Sequence, residues 1–413
     1  MRVETLLGGL ILSTLGLCGQ TFEQKGFVEA EMFGFPQTAP NDSGHFVGDL
    51  LVRWQASYQP VSWFTLSGGL EEQTDTHGDT EKSFRFDLLD RGLLRPAFAL
   101  RSLKVTLHRG HFTADIGKQF IQWGKADIIN PTNRFGPHDY LNVLDSEVLG
   151  VYAARVNAEY HGTSVDLVWT PIFTPSRMPL INQRWALLPP DLPPTVENAG
   201  TVFPGGGQYG ARVNHIGKGY EVSASIFEGY NNFPLLIPIV NPASQTLYVQ
   251  RFYPKIRTYG TDAAIPIRWV TLKTEAAFID SRETSVNAPR SDSYVLWVAQ
   301  LERQVREWVI AAGYAGQTVF DYRYPIYFDL DRGLTKTFLA KAVYNLDAPT
   351  SFSFETATRQ NGGGTWITAE YSRQLATHWR LIGGVTVIAG NANDFLGQYH
   401  RNSFVVVRIR YSF

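Results

Sequence analysis

The sequence predicts an all-β protein, a single transmembrane antiparallel up-and-down β-barrel of about 18 strands, with 16 as the alternative. Three features of the 413-residue chain support this class. Apolar and charged residues alternate along many segments, short turns alternate with long connections, and the last alternating segment ends on the final residue. A wall that faces lipid on one side and water on the other explains such alternation.

Composition and charge agree with a barrel and argue against several other classes. The chain has 37 Lys and Arg against 38 Asp and Glu, so it lacks the basic surplus that nucleic-acid binding requires. Charged residues make up 18% of the chain, below the roughly 25% of soluble domains, while aromatic residues reach 13%. No stretch beyond the N-terminus approaches the length of a transmembrane helix.

The N-terminal segment, residues 1–20, is predicted to be a signal peptide, with the barrel formed by residues 21–413. The apolar run Leu6–Leu17 is too short to span a bilayer and has the length of a signal sequence. An uncleaved anchor is one alternative, and a lipid on Cys18 is another, disfavoured because a leucine precedes it. Cys18 is the only cysteine, so the mature chain would have no disulfide and no Cys-ligated metal.

Alternation of apolar and polar residues predicts the individual strands. Leu50, Val52 and Trp54 alternate with Arg53 and Gln55, which places the two sets on opposite faces of a strand. The same pattern recurs over residues 103–107, 152–160, 165–169 and 379–387. The strands therefore carry one apolar face and one charged face, as membrane barrels do.

Connections between these strands are of two kinds. Short turns are predicted near residues 59–60, 109–110, 161–162, 218–219, 266–267, 304–305, 347–349 and 376–377. Longer segments, rich in Gly, Pro and Asn, cover residues 35–46, 72–95, 119–145, 171–205, 231–254, 281–291, 319–331 and 391–401. The connection at 360–363 lies on the same side as these segments but is short. Eight hairpins with a first and a last strand give about 18 strands, and both termini are expected on the periplasmic side, where barrel turns are short.

The final strand carries the strongest single signal. Val405, Val407, Ile409, Tyr411 and Phe413 lie on one face and alternate with polar residues. This strand resembles the C-terminal signature strand of bacterial outer-membrane proteins, which ends in Phe. The resemblance implies that the residues Phe413, Tyr411 and Ile409 are read by the barrel assembly machinery. It also implies a bacterial outer-membrane location, in contact with lipid and lipopolysaccharide.

A second resemblance covers residues 117–145. The segment Gly117–Gly124, with the sequence GKQFIQWG, resembles the G-[R/K]-Q-x-x-x-W-G segment of porin-like outer-membrane barrels. These include alginate-export-type proteins and a barrel family associated with large exporters. The resemblance implies a loop that folds into the lumen around 119–145. Lys118 stands where Arg is common, which keeps the charge and loses the planar fork.

The in-folding loop supplies the candidate site residues. The pore-constriction and binding candidates are Lys118, Gln119, Trp123, Lys125, Asp127, Asn133, Arg134, Asp139 and Asp145. Opposed charges across a narrow lumen create a transverse field that filters solutes. The alternative is that these charges only fasten the loop to the wall through salt bridges. Trp123 and Phe135 are the candidate apolar anchors.

The remaining chemistry favours a channel over an enzyme. The nine histidines are scattered, and neither a metal-binding His pair nor a Gly-x-Ser-x-Gly motif occurs, so no catalytic residue, metal or cofactor is expected. The expected function is passive diffusion of small hydrophilic solutes. The alternatives are an exit or accessory barrel of an export system and a surface-binding structural barrel. A homo-oligomer is possible, and the solute is not specified by the sequence.

Overall fold

The computed structural model describes residues 21–40, 42–127, 129–180, 182–186, 195–241, 246–282, 292–321 and 332–413. The predicted signal peptide lies outside these residues. No helix in the described part of the chain is long and apolar enough to cross a membrane.

Strands make up nearly all of the regular structure. In chain order they are β1 (Thr21–Gly34), β2 (Phe46–Val61), β3 (Phe64–Asp75), β4 (Phe86–Asp87), β5 (Phe98–Arg109), β6 (Phe112–Gln119), β7 (His138–Asp139), β8 (Glu147–Val148), β9 (Val151–Tyr160), β10 (Thr163–Thr170), β11 (Thr195–Val202), β12 (Gln208–Gly217), β13 (Tyr220–Tyr230), β14 (Leu235–Asn241), β15 (Thr246–Phe252), β16 (Lys255–Ile267), β17 (Val270–Arg282), β18 (Ser293–Val305), β19 (Trp308–Asp321), β20 (Thr337–Asp347), β21 (Thr350–Arg359), β22 (Gly364–Gln374), β23 (Trp379–Gly390) and β24 (Phe404–Ser412). A 3₁₀ helix covers Gly397–Asn402.

One sheet closes on itself to form the barrel. It contains 19 strands, of which β4 pairs only with β5, so 18 strands form the closed antiparallel ring. Closure occurs between the first and last strands, where Ala30 lies opposite Ile409 and Met32 opposite Val407. The all-β class and the count of eighteen strands are confirmed.

The two faces of the wall differ as the alternation predicted. On β24, Val405, Val407 and Ile409 point outward and are about half exposed, whereas Val406 is buried inside. Between them, Arg408 points into the lumen. The outward set forms an apolar surface suited to lipid, and the inward charges need water or partners.

Short turns join the strands at the end of the barrel where β1 begins and β24 ends. They cover residues 62–63, 110–111, 161–162, 218–219, 268–269, 306–307, 348–349 and 375–378. Three of them lie a few residues beyond the predicted positions. In two of these, the turn residue with positive φ is an arginine, Arg268 or Arg306, rather than a glycine, so the sequence carries no turn signal there.

Some long connections contain strands that the sequence analysis did not predict. The segment predicted as a loop at 231–254 contains β14 and β15, which pair antiparallel. β11, from the preceding long connection, pairs parallel to β15 and completes a three-stranded sheet outside the barrel wall. These strands depend on a partner far away in sequence, which local alternation cannot reveal.

Apolar packing lies inside the barrel rather than around it. One buried cluster joins Ile121, Trp123 and Phe135 of the in-folding loop to Phe227 and Ile256 of the inner wall. Burial of this kind removes apolar surface from water inside the lumen. The loop therefore has a core of its own, formed with the β9–β18 side of the barrel.

Candidate functional site

The in-folding loop covers residues 120–150, between β6 and β9. Its first half is fixed to the inner wall by Trp123, whose indole Nε1 donates to Asp166 Oδ2 at 2.9 Å. The Trp123 ring meets Phe135 edge-on at 5.1 Å, and Phe135 meets Phe227 at 5.0 Å. The wall strand has a glycine, Gly210, at this point, which leaves room for the ring. A Cβ on Gly210 would lie 2.6 Å from the Phe135 ring. Trp123 thus packs the loop rather than lining a path.

A buried carboxylate, Glu275 on β17, holds the loop backbone. Its Oε1 accepts the backbone N–H groups of Lys125 and Ala126, and its Oε2 accepts the Thr132 hydroxyl at 3.1 Å. Glu275 is 1% exposed, so these bonds replace the water that a carboxylate otherwise requires. The sequence analysis did not identify it, because an inward carboxylate is ordinary in a barrel strand.

Two charged candidates, Lys125 and Asp127, also fasten the loop to the wall. The Lys125 ammonium lies 2.8 Å from Asp262 and 3.0 Å from Glu221. Asp127 lies 2.9 Å from the Lys273 ammonium. Partial burial acts to raise the pKa of Asp127, but hydrogen bonds from Lys273 and Gln300 outweigh it and lower the pKa below its usual range.

Lys118 and Gln119 do not reach the lumen. Lys118 is fully buried, and its ammonium donates to Asp90 Oδ2 at 2.5 Å and to the Leu100 carbonyl at 2.5 Å. Gln119 Nε2 donates to the Ala153 carbonyl at 3.1 Å. Both side chains therefore hold the end of β6 in place.

Asn133 and Arg134 lie in the turn that returns the loop. The Arg134 guanidinium is buried and donates from Nε and Nη2 to the Pro131 carbonyl, at 3.0 and 2.6 Å. The backbone N–H of Asn133 donates to the Asn130 carbonyl at 3.2 Å. These contacts shape the turn.

Asp139 joins three long connections. It accepts from Arg95 Nε at 3.0 Å and from Arg177 Nη1 at 3.0 Å, and these arginines belong to the β3–β5 and β10–β12 connections. Burial acts to raise the pKa of Asp139, but the two guanidinium groups outweigh it and hold the pKa below its ordinary value. The two arginines therefore favour the ionised form of this carboxylate.

The second half of the loop crosses to the opposite wall. Asp145 Oδ2 lies 2.5 Å from the Arg408 guanidinium of β24. Glu147, which the sequence analysis did not single out, pairs with Arg53 of β2 and lies 3.3 Å from Arg101 of β5. The loop thus spans the lumen. It reaches from the part of the wall that runs from β10 to β18 to the part that runs from β24 through β1, β2 and β3 to β5.

A cavity of about 170 Å³ lies between this second half and the wall. Its carboxylates are Glu29, Glu31, Asp49, Glu71, Asp139, Asp145 and Glu147. Its guanidinium groups are Arg53, Arg95, Arg101, Arg177, Arg408 and Arg410. Both signs of charge line one narrow space, which is the arrangement that a charge-filtering passage needs. Of the nine sequence candidates, Asp139 and Asp145 line it.

The wall arginines that line this cavity were missed as site residues. Arg408 and Arg410 belong to the polar face of the final strand, which the sequence analysis did not consider as part of a site. Inward charges occur on most barrel strands, and the site arises where strands from the two chain ends meet. Only the barrel closure between β1 and β24 brings Arg408 beside Glu31.

Comparison with known proteins shows likeness in structure alone. No protein-family model matches the chain, and no curated protein sequence matches it. OccK9 (OpdG) of Pseudomonas aeruginosa is 10% identical with a TM-score of 0.56, over 95% of this chain and 97% of that one. A BenF-like porin from Pseudomonas fluorescens Pf-5 is 9% identical with a TM-score of 0.55, over 95% and 98%. OccAB4 of Acinetobacter baumannii is 8% identical with a TM-score of 0.54, over 95% and 98%. The chain shares the barrel architecture of these proteins.

Proposed function

We propose that this protein is an outer-membrane channel of the porin kind, through which small hydrophilic solutes diffuse passively. The observation that carries the proposal is the cavity of mixed charge beside the in-folding loop. A barrel of this size is wide enough for an aqueous path, and an in-folding loop narrows it. The shared architecture with a BenF-like porin supports the same function.

The passage would select solutes by polarity and charge. Carboxylates and guanidinium groups in one narrow space replace part of a solute's hydration, whereas an apolar solute gains nothing from them. The roles of the candidate residues divide accordingly. Lys125 and Asp127 are held by contacts with the wall and fix the constriction, whereas Lys118 holds the end of β6 through Asp90. Asp139 and Asp145 line the cavity.

The proposal includes the setting of the channel. Residues 1–20 would direct the chain to the periplasm, and the residues Phe413, Tyr411 and Ile409 would be read by the barrel assembly machinery. The outward apolar face would contact lipid and lipopolysaccharide, with the short turns and both termini in the periplasm. The charged groups of the site bind one another in ion pairs, and we propose no catalytic role for them.

An export role is the second candidate. It is favoured by the likeness of residues 117–145 to alginate-export-type and exporter-associated barrels. A surface-binding role is the third candidate, because the three-stranded sheet of β11, β14 and β15 lies among the long connections.

Single-channel conductance in a planar bilayer tests the proposal. The refolded protein is compared with a deletion of residues 125–139 and with Glu275→Ala, which removes the acceptor that holds the loop backbone. We expect steady openings that enlarge in both variants. The matched control is Glu355→Ala, which removes an inner-wall carboxylate that pairs with Lys341 at 3.4 Å. Silence of the wild type and both loop variants would overturn the channel and favour the surface or export role.

A further inference from the structure

We propose that an apolar groove on the outer wall of the barrel and the guanidinium of Arg373 together bind one anionic phospholipid. An acyl chain of the lipid occupies the groove, and its phosphate lies on Arg373. The site faces away from the lumen, so it is separate from the solute path. The inference rests on the outer-membrane setting proposed above, in which the short turns lie on the periplasmic side.

The groove crosses the outer face of β19–β24 and has a volume of about 690 Å³. Small residues form its floor. Ala342 and Ala369 lie on either side of the exposed Phe354, each directly opposite it in the sheet. Gly383 lies opposite the exposed Val407, and a Cβ on Gly383 would meet no atom within 4 Å. The floor is therefore open to the membrane, with room for an acyl chain.

Aromatic rings border the groove on the side of the short turns. Trp308, Tyr344, Phe352 and Tyr371 are successive cross-strand neighbours, and Gly383 continues the same row. The rings of Trp308 and Tyr344 are 4.6 Å apart, and those of Phe352 and Tyr371 are 4.9 Å apart. Rows of this kind mark the interface between hydrocarbon and water in membrane barrels. The groove therefore begins near the headgroups of the leaflet at the short-turn end.

Arg373 lies where the headgroup of such a lipid would lie. It follows Tyr371 by two residues, on the same face of β22 and toward the turn at 375–378. The side chain is exposed and makes no hydrogen bond or ion pair with any residue that the structure describes. In the same cross-strand row, the acidic residue Asp347 is two strands away, beyond Thr350. The charge of Arg373 is thus free for a partner from the membrane.

Among the outward residues of β19–β24 that the structure describes, Arg373 is the only cation. The other basic residues of these strands face inward: Lys341 pairs with Glu355, Arg359 with Asp394, Arg408 with Glu31 and Arg410 with Glu29, and Arg380 lies opposite Arg410. A cation on the lipid face is costly in hydrocarbon and is tolerated at the interface, where headgroups lie.

These features select one class of occupant, a phospholipid with a net negative charge such as phosphatidylglycerol. Its acyl chain matches the apolar groove, and its headgroup offers Arg373 an anion that the protein does not supply. Phosphatidylethanolamine has the same acyl chains, but its ammonium group offsets the phosphate. Lipopolysaccharide belongs to the outer leaflet, whereas the groove opens at the short-turn end.

Native mass spectrometry of the refolded protein, released from detergent micelles, tests the inference. The protein is titrated with phosphatidylglycerol and with phosphatidylethanolamine of the same acyl chains, and the bound lipids are counted. We expect one phosphatidylglycerol to bind with a Kd roughly fivefold lower than that of phosphatidylethanolamine, the factor that one cation near a membrane surface provides. In Arg373→Gln we expect this preference to disappear.

Gly383→Leu fills the floor of the groove and should test its shape separately from the charge. We expect it to raise the Kd of both lipids about tenfold, the equivalent of about two buried methylene groups, and to keep the ratio between them. Ala369→Leu fills the same floor from the neighbouring strand and keeps the test decisive if Gly383→Leu does not refold.

Two matched variants lie on the outer wall away from the groove. Arg303→Gln removes a cation of β18 that lies 4.8 Å from the Trp269 ring, and Ala30→Leu adds bulk to an exposed position of β1. Both should leave the two Kd values unchanged.

Three results would overturn the inference. The first is the same lipid preference in the wild type and in Arg373→Gln, and the second is unchanged affinity in both groove variants. The third is a dimer of the wild type that the groove variants abolish, which would assign the groove to a second copy of the chain. Because binding is measured in detergent, the result does not depend on conduction, and a silent channel would leave the lipid site standing.

Discussion

At the scale of single residues, two glycines of the barrel wall differ in what faces them. A Cβ on Gly210 would lie 2.6 Å from the Phe135 ring and 2.7 Å from the Trp123 ring, whereas a Cβ on Gly383 would meet no atom within 4 Å. We expect Gly210→Ala to lower the free energy of unfolding by about 1–3 kcal/mol, because the rings must shift in a packed cluster. Urea unfolding of the refolded protein in detergent micelles measures this.

Gly383→Ala is the matched control for that substitution. It adds the same methyl group to a strand of the same barrel, at a position with open space, and should leave the unfolding midpoint unchanged or slightly raised. Equal effects of the two substitutions would contradict the assigned role of the Trp123 and Phe135 rings as the packed end of the loop.

The sequence does not specify what each charged residue near the in-folding loop does. Lys118 and Asp145 have the same signature in sequence, a charge near a motif, yet Lys118 is fully buried and Asp145 faces the passage. The difference depends on Asp90 and Arg408, which lie far from them along the chain. Charge pairing across a closed barrel is a property of topology, and local sequence does not specify it.

At the scale of elements, the last strand closes the barrel through its backbone. Gly26 and Phe413 exchange two backbone hydrogen bonds of 2.9 Å, and the Phe413 ring covers Gly26, where a Cβ would lie 2.6 Å from it. Because backbone bonds carry the closure, we expect Phe413→Ala to refold in detergent as well as the wild type. In cells we expect it to accumulate less in the outer membrane, because the terminal aromatic residue is the proposed assembly signal.

Heat-modifiable electrophoretic mobility measures both results, since a closed barrel migrates differently before and after boiling. Phe112→Ala is the matched control, because Phe112 is a similarly exposed aromatic residue next to a short turn. A refolding defect in Phe413→Ala alone would assign the residue to barrel closure. Equal accumulation of both variants in cells would argue against an assembly signal.

Elements of the barrel were more predictable than elements outside it. Alternation identified strands such as β9 and β24, because each has one face in an apolar phase and one in water. Strand β14, outside the barrel sheet, has the sequence LLIPIVN, which is apolar up to its last residue and has no alternation. Its pairing with β15 is set by tertiary contacts, so it was predicted only as part of a long loop.

At the scale of the whole molecule, the barrel has one end with short turns and one end with long connections. This asymmetry predicts the orientation in the membrane, with the short-turn end in the periplasm. Two exposed residues lie at opposite ends of the barrel. Ser83 is in the long β3–β5 connection, and Lys218 is in the short β12–β13 turn. Each can be replaced by cysteine, and the only native cysteine, Cys18, lies in the predicted signal peptide.

In intact cells, we expect a maleimide attached to a polymer that is too bulky to cross the barrel to label Ser83→Cys and not Lys218→Cys. Permeabilising the outer membrane should make Lys218→Cys reactive, which shows that the residue is accessible and not buried. Labelling of Lys218→Cys alone in intact cells would reverse the orientation. The cavity of mixed charge lies nearer the long connections, so this orientation would place it on the periplasmic side. Solutes from outside would then meet the in-folding loop only after crossing the barrel.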